Sequence, residues 1–393
     1  MSPRVGERDP AADRPRRVAF VVTRSDSVGG VQVCIHGLAV GLRAAGHEVE
    51  VFAGGDGPFA ELCERDGVRV TRLRHMLREI DPLRDPRGLA ELHRELQRFR
   101  PELISSHSTK AGWFARAVAR QLGVANVYTA HGWAFGWQRG AKATIARGME
   151  IVTAPLADCI ITVSEHDRRK ALDAGVGRPL QVLTVHNAVT ELEPASAFRA
   201  DPGKQPARIV SVARLEAPKE PLLLLDALGD LAERSPALDW ELELIGDGPL
   251  RPAIEARLAQ ARGWGNRVHL LGTRDDVPQR LAQAQLFVLC SRHEGFPISN
   301  LEAMRAGLPV ISSEVGGVDE AIDRGVNGEL VPPGDRRAWT RVLGELLADP
   351  AARTRMGSAG RTAFETRFNF ELHLRRTWSV YHQALERHLD RLG

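Results

Sequence analysis

Glu294-Gly295-Phe296-Pro297-Ile298-Ser299-Asn300-Leu301-Glu302 sets two carboxylates eight positions apart, across a small turn and the opening of an apolar helix. A helix start gathers backbone N–H groups that have no intrahelical partner, and such a point favours anions, phosphate above all. Two acids beside a phosphate repel it, so they are aimed elsewhere. A sugar diol is the natural target, because a carboxylate accepts two directional hydrogen bonds. Phosphate together with diols describes a nucleotide-sugar. A second reading accounts for part of the stretch: Ser299-x-x-Glu302 has the spacing of a capping box, with Ser299 as N-cap and Glu302 at the third helical position. It leaves Glu294 and the Gly295-Phe296-Pro297 turn without a reason, and both readings can hold at one helix start.

The surroundings place this stretch in an alternation of strands and helices. Leu286-Phe287-Val288-Leu289 precedes it and Val310-Ile311-Ser312 follows it as short apolar runs. Similar runs lie at 209–212, 242–245 and 268–271, with helical patterns near 221–233, 249–262, 277–284 and 299–306. That is the pattern of parallel-sheet units. The first half repeats it, with strands expected at 18–23, 49–52, 68–70, 103–106, 127–129 and 160–163. A helix over 30–45 is closed by Gly46, and Ser164 caps a helix running to 174. Beyond Arg336 the chain reads as helical nearly to its end. Leu372, Trp378, Tyr381 and Leu385 share one face of a last helix over 370–392.

Bulk properties exclude several classes. In 393 residues, Lys+Arg 53 against Asp+Glu 50 leave a net charge of +3, so no global field for nucleic acid exists. Hydrophobic content of 43% fits a soluble globular protein. No apolar run approaches the roughly 20 residues that span a bilayer, and Met1–Arg17 lacks the apolar stretch of a secretory signal. Cys34, Cys63, Cys159 and Cys290 form no CxxC pair and read as reduced thiols, not a metal site or a disulfide frame. HExxH, GxSxG and P-loop motifs are missing from the sequence, and Asp275-Asp276 looks like a helix N-terminus, not a metal clamp.

Five stretches, in chain order, resemble the retaining glycosyltransferases of family four, which have the GT-B architecture. They are Ser27-Val28-Gly29-Gly30-Val31, Arg208–Lys219, Ile245-Gly246-Asp247-Gly248-Pro249-Leu250, Glu294–Glu302 as the E-x7-E motif, and Gly316-Gly317-Val318-Asp319-Glu320. The resemblance covers almost the whole chain. It implies an α/β fold with two Rossmann-like parallel-sheet domains facing a central cleft, and a C-terminal helix crossing back to the first domain. The expected boundaries are a disordered tail (1–17), a first, acceptor domain (18–190, joined by 370–393), a linker (191–207) and a second, donor domain (208–369). The implied reaction moves a sugar from a nucleotide-diphosphate sugar, with UDP the expected nucleotide, to an acceptor hydroxyl with retention, in cell-surface polysaccharide or glycolipid synthesis. No cofactor or metal is expected.

The resemblance also implies roles for particular residues. Gly29 and Gly30 lie on the donor-phosphate side. Arg214 and Lys219 supply a planar fork and a point charge for the diphosphate. Gly246 and Asp247 belong to the nucleotide side. Phe296, Pro297, Ile298 and Ser299 line the pocket through backbone N–H groups, Pro297 having none. Glu294 is expected on the donor-sugar hydroxyls and Glu302 on the ribose. His131, in Tyr128-Thr129-Ala130-His131-Gly132, is expected near the transferred sugar, and with Glu294 makes up the catalytic set. A histidine at a strand's carboxyl end donates to a hydroxyl or shuttles a proton. Plainer readings stand beside these: solvated surface charges, a simple turn and a structural histidine. Their position after strands, where open sheets bind ligands, favours the site. The chain departs from the family after Lys219, where Glu220-Pro221 replaces the usual Gly. His107 is a second candidate, and His186-Asn187 a hinge candidate.

Other functions stay open. One is a glycosyltransferase of secondary metabolism acting on an aminocyclitol; another is a nucleotide-sugar epimerase or hydrolase, which needs a further acid or base and no acceptor pocket; a third is a non-catalytic binder. The acceptor is a small molecule, a glycan or a lipid-linked sugar. The aromatic and basic stretch 133–147 reads either as a membrane-surface segment or as a solvated helix face. The expected location is cytoplasmic, with peripheral contact at the inner membrane face under the first of those readings.

Overall fold

The computed structural model describes residues 5–77, 79–138 and 140–392; the side chains of Trp137 and Leu392 lie outside the description, as does Arg139 of the aromatic and basic stretch. The chain forms two compact units, one of residues 1–188 with 370–393 and the other of 189–369.

The first unit is built on seven parallel strands: β1 (Arg17–Val22), β2 (Glu48–Gly54), β3 (Arg69–Leu73), β4 (Leu103–His107), β5 (Ala125–Ala130), β6 (Cys159–Thr162) and β7 (Val182–Thr184). Their order is β3-β2-β1-β4-β5-β6-β7. The sequence order reverses between β1 and β4, which pair in register from Val18↔Leu103 to Val22↔His107. At such a switch point the loops leaving two adjacent strands part to opposite faces and leave a crevice. Ser164 caps the helix Glu165–Asp173 as its spacing indicated, accepting from Asp167 N–H at 3.1 Å. The last helix, Phe370–Leu392, belongs to this unit and buries Trp378 and Tyr381 in it.

The tail does not behave as expected of a disordered segment from Val5 onward. Pro10 is buried, and its carbonyl accepts from His47 Nε2 at 3.0 Å. Asp13 Oδ2 accepts from Trp378 Nε1 at 2.7 Å, and Arg8 pairs with the same carboxylate. A polar composition concealed anchoring contacts that only the tertiary structure supplies.

The second unit has six parallel strands: β8 (Ala207–Val212), β9 (Trp240–Ile245), β10 (Val268–Gly272), β11 (Leu286–Leu289), β12 (Val310–Ser313) and β13 (Gly328–Val331). Their order is β10-β9-β8-β11-β12-β13, with the switch point between β8 and β11. One face is filled by Leu224, Leu228 and Leu231 of the helix Pro221–Arg234 and by Trp339, Leu343 and Leu346 of the helix Arg336–Ala348. Residues 191–207, expected as a linker, lie within this unit. Ala200 N–H donates to the Ala306 carbonyl, and Arg353, fully buried, donates to the carbonyls of Pro202 and Lys204.

Candidate functional site

Four loops at the carboxyl ends of β8, β9, β11 and β12 lock together around the switch point of the second unit. The β8 loop is zipped to the β9 loop by Ala213 N–H to Ile245 O (3.0 Å), Leu215 N–H to Asp247 O (2.9 Å) and Leu250 N–H to Leu215 O (2.8 Å). Gly246 has φ +129°, and a Cβ there would lie 2.0 Å from the Ala213 carbonyl oxygen, so only glycine fits. On its other side the β8 loop meets β11, through Glu220 N–H to Cys290 O and Arg292 N–H to Pro218 O, both 2.9 Å. The Gly-Gly loop after β12 then closes on the E-x7-E stretch. Gly317 N–H donates to Gly295 O at 3.0 Å. At Gly316 (φ +63°) a Cβ would come 1.7 Å from the Glu294 carbonyl oxygen. The glycines that punctuate the sequence are thus the points where loops touch.

This packing brings Lys219 and Glu294 together as an ion pair, with the Glu294 side chain only 10% exposed. Arg214 does not join them. Its side chain is 60% exposed and pairs with Glu216, its neighbour two residues on. Asp247 is engaged in its own turn, accepting from Gly248 N–H at 2.7 Å and facing Arg251 at 3.5 Å. These contacts are those of a turn residue.

The capping box does not form. The helix starts at Ile298, its N-cap is Pro297 with φ −71°, and no side chain caps it. Ser299 sits at the second helical position because proline at 297, with φ already fixed, ends the turn one residue early. The N–H groups of Ile298 and Ser299 have no intrahelical acceptor as a consequence. Glu302 is half-buried one turn further on, and burial raises its pKa, with Arg305 opposing in part. Arg305 itself donates to the Thr190 carbonyl at 2.8 Å. Among the described residues, neither a hydrogen bond nor an ion pair reaches the Glu302 carboxylate. Phe296 turns inward onto Phe368, ring centroids 5.5 Å apart, so its side chain is part of the core.

In the first unit, Gly29 is the N-cap of the helix Gly30–Ala44 and has extended backbone (φ −118°, ψ −174°). Its N–H donates to Gln32 Oε1 at 3.2 Å. Neighbouring β4 ends in His107 and β5 is followed by His131. The register His107↔Thr129 sets the two rings side by side, with His107 Nδ1 and His131 Nε2 2.9 Å apart. Burial pushes the His107 ring well below the usual histidine range, helped by His131 and His373. Burial, then the nearby His373, lowers His131 to about 4. Both rings are neutral at pH 7. His373 donates from Nδ1 to the His186 carbonyl at 2.8 Å, so His186 has a tertiary contact within this unit. Sequence reasoning gave Ser105 no role and Tyr381 only a place on a helix face, yet both stand behind His107; Ser105 and His107 at alternate positions of one strand were a legible signal that both face the same side.

Known proteins resemble the chain in both units. A family model described as "Glycosyl transferase 4-like domain" matches residues 29–188, and one described as "Glycosyl transferases group 1" matches 206–349. The UDP-Gal:alpha-D-GlcNAc-diphosphoundecaprenol alpha-1,3-galactosyltransferase of Escherichia coli is 26% identical over 312 residues, 77% of this chain and 80% of that protein. The GDP-mannose-dependent alpha-(1-6)-phosphatidylinositol monomannoside mannosyltransferase of Mycolicibacterium smegmatis is 29% identical over 363 residues, 85% of this chain and 89% of that one. The solved structure of Anabaena HepE in complex with UDP-glucose superposes with a TM-score of 0.77 at 21% identity, covering 93% of this chain and 99% of that one, a likeness of fold. Two open parallel sheets, each matched by a glycosyltransferase domain model in the expected order, place this chain in the GT-B glycosyltransferases of family four, enzymes that draw on a nucleotide-sugar donor.

Proposed function

We propose that the enzyme transfers the sugar of a UDP-sugar to an acceptor hydroxyl with retention, in the synthesis of a cell-surface polysaccharide or glycolipid. The observation that carries the reading is the meeting of Lys219, Glu294 and the uncapped start of the helix Ile298–Ala306 at one switch point. A diphosphate arriving there takes the Lys219 ammonium and the N–H groups of Ile298 and Ser299. Glu294, released from its ion pair, accepts the donor-sugar hydroxyls, and Glu302 those of the ribose. Arg214 folds in from solvent onto the diphosphate, and Gly246 lets the backbone approach the nucleotide. The family resemblance assigns Gly29 and Gly30 to the donor phosphates and His131 to the transferred sugar. Cations and N–H groups neutralise the leaving group, so no metal is assigned. The departing phosphate oxygen takes the acceptor proton as the new C1–O bond forms on the face the old one leaves, which gives retention.

The name of the Escherichia coli relative, which carries both a UDP-sugar and a diphosphoundecaprenol acceptor, supports a UDP donor and a lipid-linked acceptor. A surface feature agrees. The helix Ala141–Thr153 exposes Ile145 (58%) and Val152 (70%) beside Met149, with Lys142 and Arg147 also outward, while its one acid, Glu150, is buried against Arg116. An apolar stripe flanked by cations suits an anionic membrane surface.

The test is turnover with UDP-glucose, UDP-galactose, UDP-N-acetylglucosamine and GDP-mannose, each with polyprenyl-diphosphate-linked sugars or a free cyclitol as acceptor. Turnover of a UDP-sugar with the lipid acceptor only, and an unchanged anomeric configuration by NMR, are expected. Turnover without acceptor would make the protein an epimerase or hydrolase; turnover with the cyclitol would move it to soluble metabolism. Vesicles of phosphatidylglycerol should retain the native protein and release Ile145→Glu/Val152→Glu.

A further inference from the structure

Behind His131 runs a line of three buried polar side chains. Tyr381 OH and Ser105 Oγ are 2.6 Å apart, Ser105 Oγ and His107 Nε2 3.1 Å, and His107 Nδ1 and His131 Nε2 2.9 Å. Tyr381, Ser105 and His107 are fully buried. Tyr381 lies on the helix Phe370–Leu392, and Ser105 and His107 face one side of β4. The direction of the hydrogens follows from the end of the line. Ser105 is the hydrogen-bond partner of Tyr381 among the described residues, and burial raises the phenol so that it keeps its hydrogen. A buried hydroxyl donates where an acceptor stands, so Tyr381 O–H donates to Ser105. Ser105 has one hydrogen, and it goes on to His107 Nε2. That nitrogen is therefore bare, and the neutral ring carries its hydrogen on Nδ1. His107 Nδ1–H donates to His131 Nε2, which leaves the His131 hydrogen on Nδ1. The reverse order would leave the Tyr381 hydrogen without an acceptor. His373 does not interfere, because its Nδ1 donates to the His186 carbonyl and its Nε2 faces Cys34 Sγ at 3.7 Å.

We propose that Tyr381, Ser105 and His107 are positioning residues that fix the tautomer of His131, so that it presents Nδ1–H to an oxygen of the bound sugar as a hydrogen-bond donor and not as a base. The role of His131 at the sugar rests on the function proposed above; the tautomer does not. A ring set the wrong way round meets the same oxygen with a lone pair and can only accept, so the donated bond is lost. The logic is that of a buried partner holding an imidazole in one tautomer. It also gives the returning helix a task at the site besides packing.

The imidazole 15N spectrum of the full-length protein labelled at histidine reads the tautomer directly in the native chain. His131, assigned by its loss in His131→Ala, should show a protonated Nδ1 and a bare Nε2 at pH 7. The opposite assignment would overturn the proposal. Tyr381→Phe removes one oxygen and keeps the ring; it should mix the two His131 tautomers. With whichever of the four nucleotide-sugars above turns over, it should lower kcat about tenfold or more and leave the donor KM within about twofold. An unchanged spectrum and kcat in Tyr381→Phe would also sink it. The underlying reading fails separately: the expected tautomer with unimpaired transfer by His131→Ala would keep the line of hydrogen bonds and remove His131 from the sugar.

Discussion

Replacing Glu302 by glutamine separates what this residue costs the protein from what it gives the ligand. Its carboxylate is half-buried, and neither of its oxygens has a partner among the described residues. Burial raises its pKa, and the Arg305 charge compensates only in part. An acid whose folded pKa exceeds its unfolded value binds protons more readily in the native state, so it lowers stability as pH rises above roughly 4.3. Glu302→Gln keeps the shape and removes the charge. The ligand-free protein should melt at a higher temperature at pH 7 and show no gain below about pH 4. Binding should move the other way. Two unused carboxylate oxygens can accept two charge-assisted bonds from the ribose diol, each worth about 1.5–3 kcal/mol. The amide keeps one neutral acceptor, so the expected loss is about 2–3 kcal/mol, roughly 30- to 150-fold in Kd. Calorimetric titration with UDP and thermal melts of the same samples measure both. A variant that is less stable at pH 7, or that binds UDP as tightly as the native protein, would refute the argument and make Glu302 an ordinary helix residue.

Lys219→Met leaves Glu294 nearly buried and unpaired; a loss on the order of 2 kcal/mol is expected, below the 3–5 of a fully buried pair, with donor turnover abolished, and Lys219→Arg should restore more stability than turnover. Gly316→Ala should cost more than about 2 kcal/mol, because the added carbon meets the Glu294 carbonyl at 1.7 Å on a left-handed backbone; equal melting temperatures would contradict the loop contact. Stability should fall as pH drops from about 6.5 towards 4. His131 and His373 are each lowered to about 4, so below 6.5 the unfolded chain binds protons that the fold refuses. Each ring contributes up to about 1.4 kcal/mol per pH unit in that window; His107, also lowered by burial, adds to the slope. Urea titrations at pH 7, 6 and 5 check this, and a flat profile would mean the rings are already charged in the fold.

The parallel sheets were legible because buried strands carry dense apolar runs. The exceptions are instructive. β7 is only Val182–Thr184, too short to show a period. β13 opens on Gly328, where a Cβ would meet the Val310 carbonyl oxygen at 2.2 Å, so close backbone approach overrides strand propensity. At the site, the sequence placed Glu294, Lys219 and the glycine turns on strand-end loops, and packing between those loops made them one locus. It could not show that Pro297 would start the helix ahead of Ser299, nor that Arg214 would prefer Glu216 to its neighbours. The pairing of His107 with His131 needed the β4–β5 register, and Tyr381 lies too far along the chain for any local pattern to connect it.

Because the helix Phe370–Leu392 completes the first unit, everything in Val189–Asn369 is an insertion between two parts of one core. On the ribosome the second unit can finish first, while the first waits for its closing segment. Trp378, Tyr381 and Ala384, buried at 0–1% exposure, leave greasy surface uncovered on β-sheet and tail until residues 370–392 are synthesised. The folding of the first unit is therefore timed by the synthesis of this one helix.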